Sequence, residues 1–201
     1  MPDKSDVHWL PSADLLSFDE IERVTRVFVS MGISKVRITG GEPLLRTGVE
    51  GLVRRLTMID GLESVDMTTN GYFLGSKAQA LKDAGLRGVT VSLHSLREDR
   101  FARISGVNAL PRVLESISEA VRVGLHPVKI NSVAIKGYND DEILDIVDFA
   151  RRLNVGLRFI EFMPLDGLGI WNQEKIVTGQ ERDPTIVPES RMAGFGRLFK
   201  F

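Results

Sequence analysis

Five short β-type runs carry a polar side chain at every second position, and this alternation constrains the fold more than any other feature of the chain. Arg37 and Thr39 alternate with Val36 and Ile38, and Asp66, Thr68 and Asn70 alternate with Val65 and Met67. Thr90 and Ser92 alternate with Val89 and Val91, Lys129 and Asn131 with Val128 and Ile130, and Arg158 lies between Leu157 and Phe159. Successive strand residues point to opposite faces, so each polar row shares one side of its strand. A parallel sheet covered by helices on both sides needs both rows apolar. A packed (β/α) barrel fills its middle with branched aliphatics. Here the middle would hold Arg37, Lys129 and Arg158 among hydroxyls and amides. Charge buried without partners is too costly to keep, so the pattern points to a polar, anionic ligand in a lumen.

The segments between these runs read as helices. Ser17-Phe18-Asp19-Glu20 is a capping box, and Ile21, Val24, Phe28 and Met31 give the helix behind it an apolar stripe for the core. Further helices are predicted over 49–59 (with Leu52, Val53 and Leu56 inward), 76–84, 99–104, 109–123 and from Asp140 onward. Strands are predicted over 35–39, 64–68, 88–93, 128–134 and 156–162. Strict strand–helix alternation implies parallel strands with right-handed crossovers. An open doubly wound sheet would place ligands only at its carboxyl edge. Polar rows on every strand favour a curved sheet, so the expected fold is α/β, an incomplete parallel (β/α) barrel over 1–166. Residues 167–201 lose the period and read as an irregular C-terminal segment.

A chain of 201 residues suffices for one domain with a substantial core. Its net charge of −1 gives no general pull toward nucleic acid or anionic membrane. No apolar run approaches the roughly 20 residues of a membrane helix. The N-terminal residues show no basic-then-apolar secretory pattern, so a cytoplasmic location is expected. The chain has no cysteine. Disulfides, thiolate zinc sites, cysteine nucleophiles and thiolate-held iron–sulfur clusters are therefore excluded from its own residues.

Several strand ends could carry chemistry. Gly40-Gly41-Glu42-Pro43 follows the first run; the glycines allow positive φ and close approach of backbone to a ligand. Glu42 could take a cationic amine or a ribose hydroxyl, or simply face a helix dipole in a βα turn. The motif lacks the spacing of a P-loop or a dinucleotide fingerprint. Thr68-Thr69-Asn70-Gly71 is a turn, with Thr68 facing the lumen if the polar row is real. Ser92 ends a strand, where barrel sites gather. His94 could be a base or a metal ligand, but a lone loop histidine with no second one nearby reads first as exposed. Lys129 could pair with Asp66 or bind phosphate as a point charge. Met163 could pack on a flat ring or belong to the core.

Taken together and in order, 35–46, 68–71, 91–93, 129–131 with 137–141, and 158–164 resemble the GTP 3′,8-cyclase family. These are radical S-adenosylmethionine enzymes that begin molybdenum cofactor biosynthesis. Trp9-Leu10-Pro11 and Leu15-Leu16-Ser17-Phe18 fit as well, and the resemblance covers roughly residues 1 to 178. It implies an incomplete barrel of the radical SAM type. It places Gly41, Ser92 and Met163 at S-adenosylmethionine contacts, with Gly40 and Glu42 beside them, and Arg37, Thr68 and Lys129 at GTP contacts. It also implies four-iron, four-sulfur clusters, a homodimer, and conversion of GTP to (8S)-3′,8-cyclo-7,8-dihydroguanosine 5′-triphosphate, with the cofactor performing the hard step.

The chain departs from that family in three respects. It lacks both sets of cluster cysteines, and His94 stands where the family has an aspartate. Met-Pro follows the third N-terminal cysteine in the family, and this chain opens Met1-Pro2. The expectation is a chain truncated at both ends, with the first strand missing and no catalytic or metal-ligating residue of its own. A nucleotide-binding domain without catalysis, or a radical SAM relative with another phosphorylated substrate, are the competing readings.

Overall fold

The computed structural model describes residues 14–164 and 171–178, together with the backbone of 190–191 and 197–199. Helix α1 (Phe18–Ser30) opens on the predicted capping box: the Ser17 N–H donates to Glu20 Oε2 at 2.7 Å and the Glu20 N–H to Ser17 Oγ at 3.2 Å. Strand β1 (Lys35–Ile38), helix α2 (Val49–Thr57), β2 (Ser64–Thr69), α3 (Leu74–Asp83), β3 (Gly88–Ser92), α4 (Glu98–Ser105), α5 (Leu110–Arg122), β4 (Val128–Ala134), α6 (Ile143–Arg152) and β5 (Gly156–Glu161) follow. The helix expected from Asp140 starts as a 3-10 turn, Asp140–Glu142, before α6.

Strands β1 to β5 are parallel and lie in the sheet in chain order. Right-handed crossovers that never reverse direction place every helix on the same side. That is the topology of a barrel wall, not of a doubly wound sheet, whose order reverses at a switch point. Burial agrees. On the helix side Val65, Met67, Val89, Val91, Ile130, Leu157 and Phe159 are at most 1 % exposed. Register puts Arg37 opposite Asp66, Thr68 opposite Thr90, Thr90 opposite Lys129, and Asn131 opposite Arg158 on the other face. That polar face is half-buried at Asp66, Thr68, Lys129, Asn131 and Arg158, buried at Thr90 and open at Arg37, so its charges keep contact with water and escape the full cost of burial. The expectation of one polar face shared by the strands is met.

Two other expectations change. Ile21 of the α1 stripe packs against the core, but Val24, Phe28 and Met31 are 42 %, 50 % and 72 % exposed among the described residues. Helix α1 packs on the core through Phe18, Ile21 and Val29, and on its polar flank Arg55 of α2 pairs with Asp19 and Glu22 at 2.5 and 2.6 Å. Residues 167–201, expected to be irregular, contain a 3-10 turn (Gln173–Lys175) and two short strands, β6 (Ser190–Arg191) and β7 (Arg197–Phe199). Strand β7 adds antiparallel to β5 and pairs in turn with β6. Val177 of that segment is buried and Ile176 bridges Ile135; residues 167–170, 179–189, 192–196 and 200–201 lie outside those described.

Candidate functional site

The carboxyl ends of β1, β2 and β3 open into a cavity of about 540 Å³. Its size is that of a site for a drug-sized molecule. One wall is the turn after β1. Gly40 has φ +147°, and a Cβ built on it would meet no atom within 4 Å, so bare backbone borders open space there. Glu42, 9 % exposed, anchors this turn. Its Oε1 accepts the Leu44 N–H at 3.0 Å and the Thr69 hydroxyl at 2.7 Å, and its Oε2 accepts the Asn70 N–H at 2.7 Å. Both oxygens are engaged inside the fold. The carboxylate therefore fastens the β1 turn to the end of β2 while still lining the cavity.

The β2 end is a second wall. Asn70 Oδ1 accepts the Tyr72 N–H at 2.9 Å, an Asx turn that carries the chain into α3. Gly71, at φ +84°, packs so closely that a Cβ would sit 2.8 Å from Val91 Cγ1. The Arg112 guanidinium covers the ring of Tyr72 at 4.2 Å, and Tyr72 meets Phe73 edge to face. The opposite wall is helical: Phe101, Ile104 and Ser105 of α4 and Val113 of α5 give the cavity its apolar side.

Ser92 and His94 complete the rim after β3. His94 corrects the expectation of an exposed histidine. Its ring is half-buried, and Nδ1 accepts the Val133 N–H of β4 at 3.1 Å. A backbone N–H can only donate, so Nδ1 bears no proton and the neutral ring carries its hydrogen on Nε2. Burial pushes the imidazole from its ordinary 6.5 down to about 4. Between those values the unfolded chain binds a proton that the folded chain refuses. Stability from this group is complete above pH 6.5 and is lost as pH falls toward 4. Urea titrations at pH 7 and pH 5 are expected to show a larger loss for the wild-type chain than for His94→Gln; equal losses would rule this out.

Behind His94 lies a buried polar network. Asn139, 1 % exposed, donates through Nδ2 to Val133 O at 2.8 Å and to His94 O, and accepts the Ile135 N–H at 2.7 Å. Glu142, 0 % exposed, accepts the Ser95 hydroxyl at 2.9 Å, the Leu96 N–H at 2.8 Å and Arg100 Nη1 at 3.1 Å. Arg100 also pairs with Asp141 and holds that carboxyl below the usual range. These bonds tie the β3–α4 segment, and hence the α4 wall, to the turn after β4. Sequence reasoning missed this clamp. Asn139 and Glu142 sit in an acidic run, and such residues are ordinarily exposed.

Of the residues proposed from sequence, Gly40, Gly41, Glu42, Thr68 and Ser92 line the cavity, while Arg37, Lys129 and Met163 do not. Arg37 extends along the polar face: Nη1 donates to Thr90 Oγ1 at 3.0 Å and lies 3.4 Å from Thr68 Oγ1, and Nη2 is 3.5 Å from Asp66 Oδ2. Asp66 therefore partners Arg37. Lys129 and Arg158 are half-buried on the same face, and Met163 follows β5 with 40 % exposure. No described helix is long and apolar enough to cross a membrane.

Residues 4–150 match the Radical SAM superfamily. The chain belongs to that superfamily. It is 43 % identical over 183 residues to the GTP 3′,8-cyclase of Aquifex aeolicus (strain VF5), covering 90 % of this chain and 57 % of that protein. It is 47 % identical over 175 residues to the GTP 3′,8-cyclase of Listeria monocytogenes serotype 4b (strain CLIP80459), covering 87 % and 52 %. This radical SAM chain thus spans about half the length of the curated relatives it matches. Among solved structures, archaeal TYW1 superimposes with a TM-score of 0.60 at 16 % identity, covering 81 % of this chain and 62 % of that one. Coproporphyrinogen III oxidase (HemN) from Escherichia coli gives 0.57 at 10 % identity, covering 82 % and 42 %. At these identities the likeness speaks for the fold alone.

The superfamily is named for S-adenosylmethionine and works with a four-iron, four-sulfur cluster. The chain offers no thiolate, and no group of His, Asp or Glu that could hold a metal occurs among the described residues. Its own side chains therefore do not fit the cluster. The fit to S-adenosylmethionine is better: bare glycine backbone, hydroxyl and amide groups at strand ends, and an apolar wall suited to a purine.

Proposed function

We propose that this chain is the ligand-binding wall of a GTP 3′,8-cyclase-type barrel, holding S-adenosylmethionine in the cavity at the ends of β1 to β3 and GTP along the polar face beside it. One observation carries the reading. Strand register aligns Arg37, Lys129 and Arg158 on the face that carries Thr68, and Thr68 also lines the cavity. The cavity has an apolar flank, and the Glu42 carboxylate on its rim is tied into the fold, which suits an adenosyl group. The cationic face suits a triphosphate, for which lysine acts as a point charge and arginine as a fork. The relatives named above support the choice of GTP. Gly41, Ser92 and Met163 are assigned to S-adenosylmethionine, with Gly40 beside them and Glu42 as the anchor of their turn. Arg37, Thr68 and Lys129 are assigned to GTP.

In this reading the polypeptide contributes orientation and shielding. Arg37 is aimed by Asp66 and Thr90, and the glycine turn brings backbone groups to the ligand. No radical step is assigned to it, because none of its side chains can hold the cluster that supplies the electron. Calorimetry on the chain itself tests the binding. Lys129→Ala is expected to weaken GTP binding about tenfold and to leave S-adenosylmethionine binding unchanged. Absence of any GTP heat from the wild-type chain would defeat the assignment.

A further inference from the structure

The cavity's polar rim has a fixed polarity. Two of its side chains are locked by backbone N–H groups that can only donate. The Tyr72 N–H fixes Asn70 Oδ1 as an acceptor, which settles the amide orientation and leaves Nδ2 as the remaining donor. The Val133 N–H fixes His94 Nδ1 as an acceptor, which leaves the ring hydrogen on Nε2. Both residues line the cavity. Glu42 accepts from Leu44, Thr69 and Asn70, so the carboxylate of the rim is held in place by the fold.

We propose that His94 is a specificity-determining residue of this cavity, presenting a neutral Nε2–H donor that selects an acceptor atom, a ribose oxygen or ring nitrogen, on the bound adenine nucleoside. This rests on the assignment of the adenosyl group to the cavity and adds the residue that sets its polarity. The backbone around His94 is held as firmly as the ring. Its carbonyl accepts from Asn139 Nδ2, which also bonds Val133 O at 2.8 Å and so links the segment after β3 to β4, whose Val133 N–H orients the imidazole. A donor fixed on two sides costs a ligand little ordering, which is the usual source of selectivity in a small polar rim. The low proton affinity noted above keeps the ring in this one form at neutral pH. An aspartate at the same position would offer only acceptors there and would favour donor groups on the ligand.

Paired substitutions test this by calorimetry at pH 7 with S-adenosylmethionine as probe and GTP as control. His94→Asn can keep the acceptor for the Val133 N–H but has no atom at the Nε2 position; His94→Gln places an amide donor there. His94→Asn is expected to weaken S-adenosylmethionine binding roughly five- to tenfold, the worth of one neutral hydrogen bond, with GTP affinity unchanged. His94→Gln is expected to stay within about threefold of the wild-type chain. Equal binding of S-adenosylmethionine by wild type and His94→Asn would overturn the inference and leave the assignment of the cavity standing. A parallel loss of GTP binding in His94→Asn would also overturn it, because that marks a purely structural role. Absence of S-adenosylmethionine binding by the wild-type chain would overturn the assignment of the cavity and this inference with it.

Discussion

Glu142→Ala is expected to lower the unfolding free energy by about 3 kcal/mol, read from the midpoint of a urea titration at pH 7. The carboxylate is completely buried and accepts the Leu96 N–H, which would lose its acceptor, and the Ser95 hydroxyl, which would fall back on the Arg97 carbonyl at 3.2 Å. A buried donor without a partner costs roughly 1–3 kcal/mol, and the vacated volume adds a cavity term. Arg100 would lose its inner partner and keep Asp141. Glu142→Gln, which retains one acceptor oxygen, is expected to cost about half as much. Because Glu142 holds the start of α4, the alanine variant should also loosen the wall formed by Phe101 and Ile104. A midpoint within error of the wild-type chain would show that the clamp contributes nothing.

Glu42→Ala is the second large effect, at about 2–3 kcal/mol by the same measurement. It strands the Leu44 and Asn70 N–H groups and removes the acceptor of the Thr69 hydroxyl. The two changes differ in reach. Glu42 joins the turn after β1 to the end of β2, so its loss should release the glycine backbone and weaken S-adenosylmethionine binding as well as stability. If Glu42→Ala destabilises the chain without affecting that binding, the β1 turn is not part of the site.

Much of the fold was legible because local patterns carried it. Val128–Ala134 matches its strand residue for residue, since Val128, Ile130 and the polar side chains between them alternate without interruption. Ser17 and Glu20 announced α1 through a bond that spans one helical turn. The α1 stripe shows the limit of such patterns: Val24, Phe28 and Met31 mark an apolar face, but a period cannot say what covers it. The site was legible only where it is backbone and strand. Gly40, Gly41, Thr68 and Ser92 follow from their places at strand ends. Asn139 and Glu142 do not, and Glu42 and His94, though singled out, show nothing of their bonding, because the partners of all four lie elsewhere in the chain. Glu42 meets Thr69 across 27 residues, His94 meets Val133 across 39, and Glu142 meets Ser95 across 47. An acid or an imidazole reads as exposed until the fold supplies its partner.

Those long spans have a thermodynamic corollary. Walls recruited from segments so distant exist together only in the native state, and the unfolded chain retains no remnant able to grip a nucleoside. Occupancy should therefore act as a reversible cross-link: at a hundredfold excess over Kd it adds about 2.7 kcal/mol to the folded state. A simple melting curve then becomes a measure of affinity.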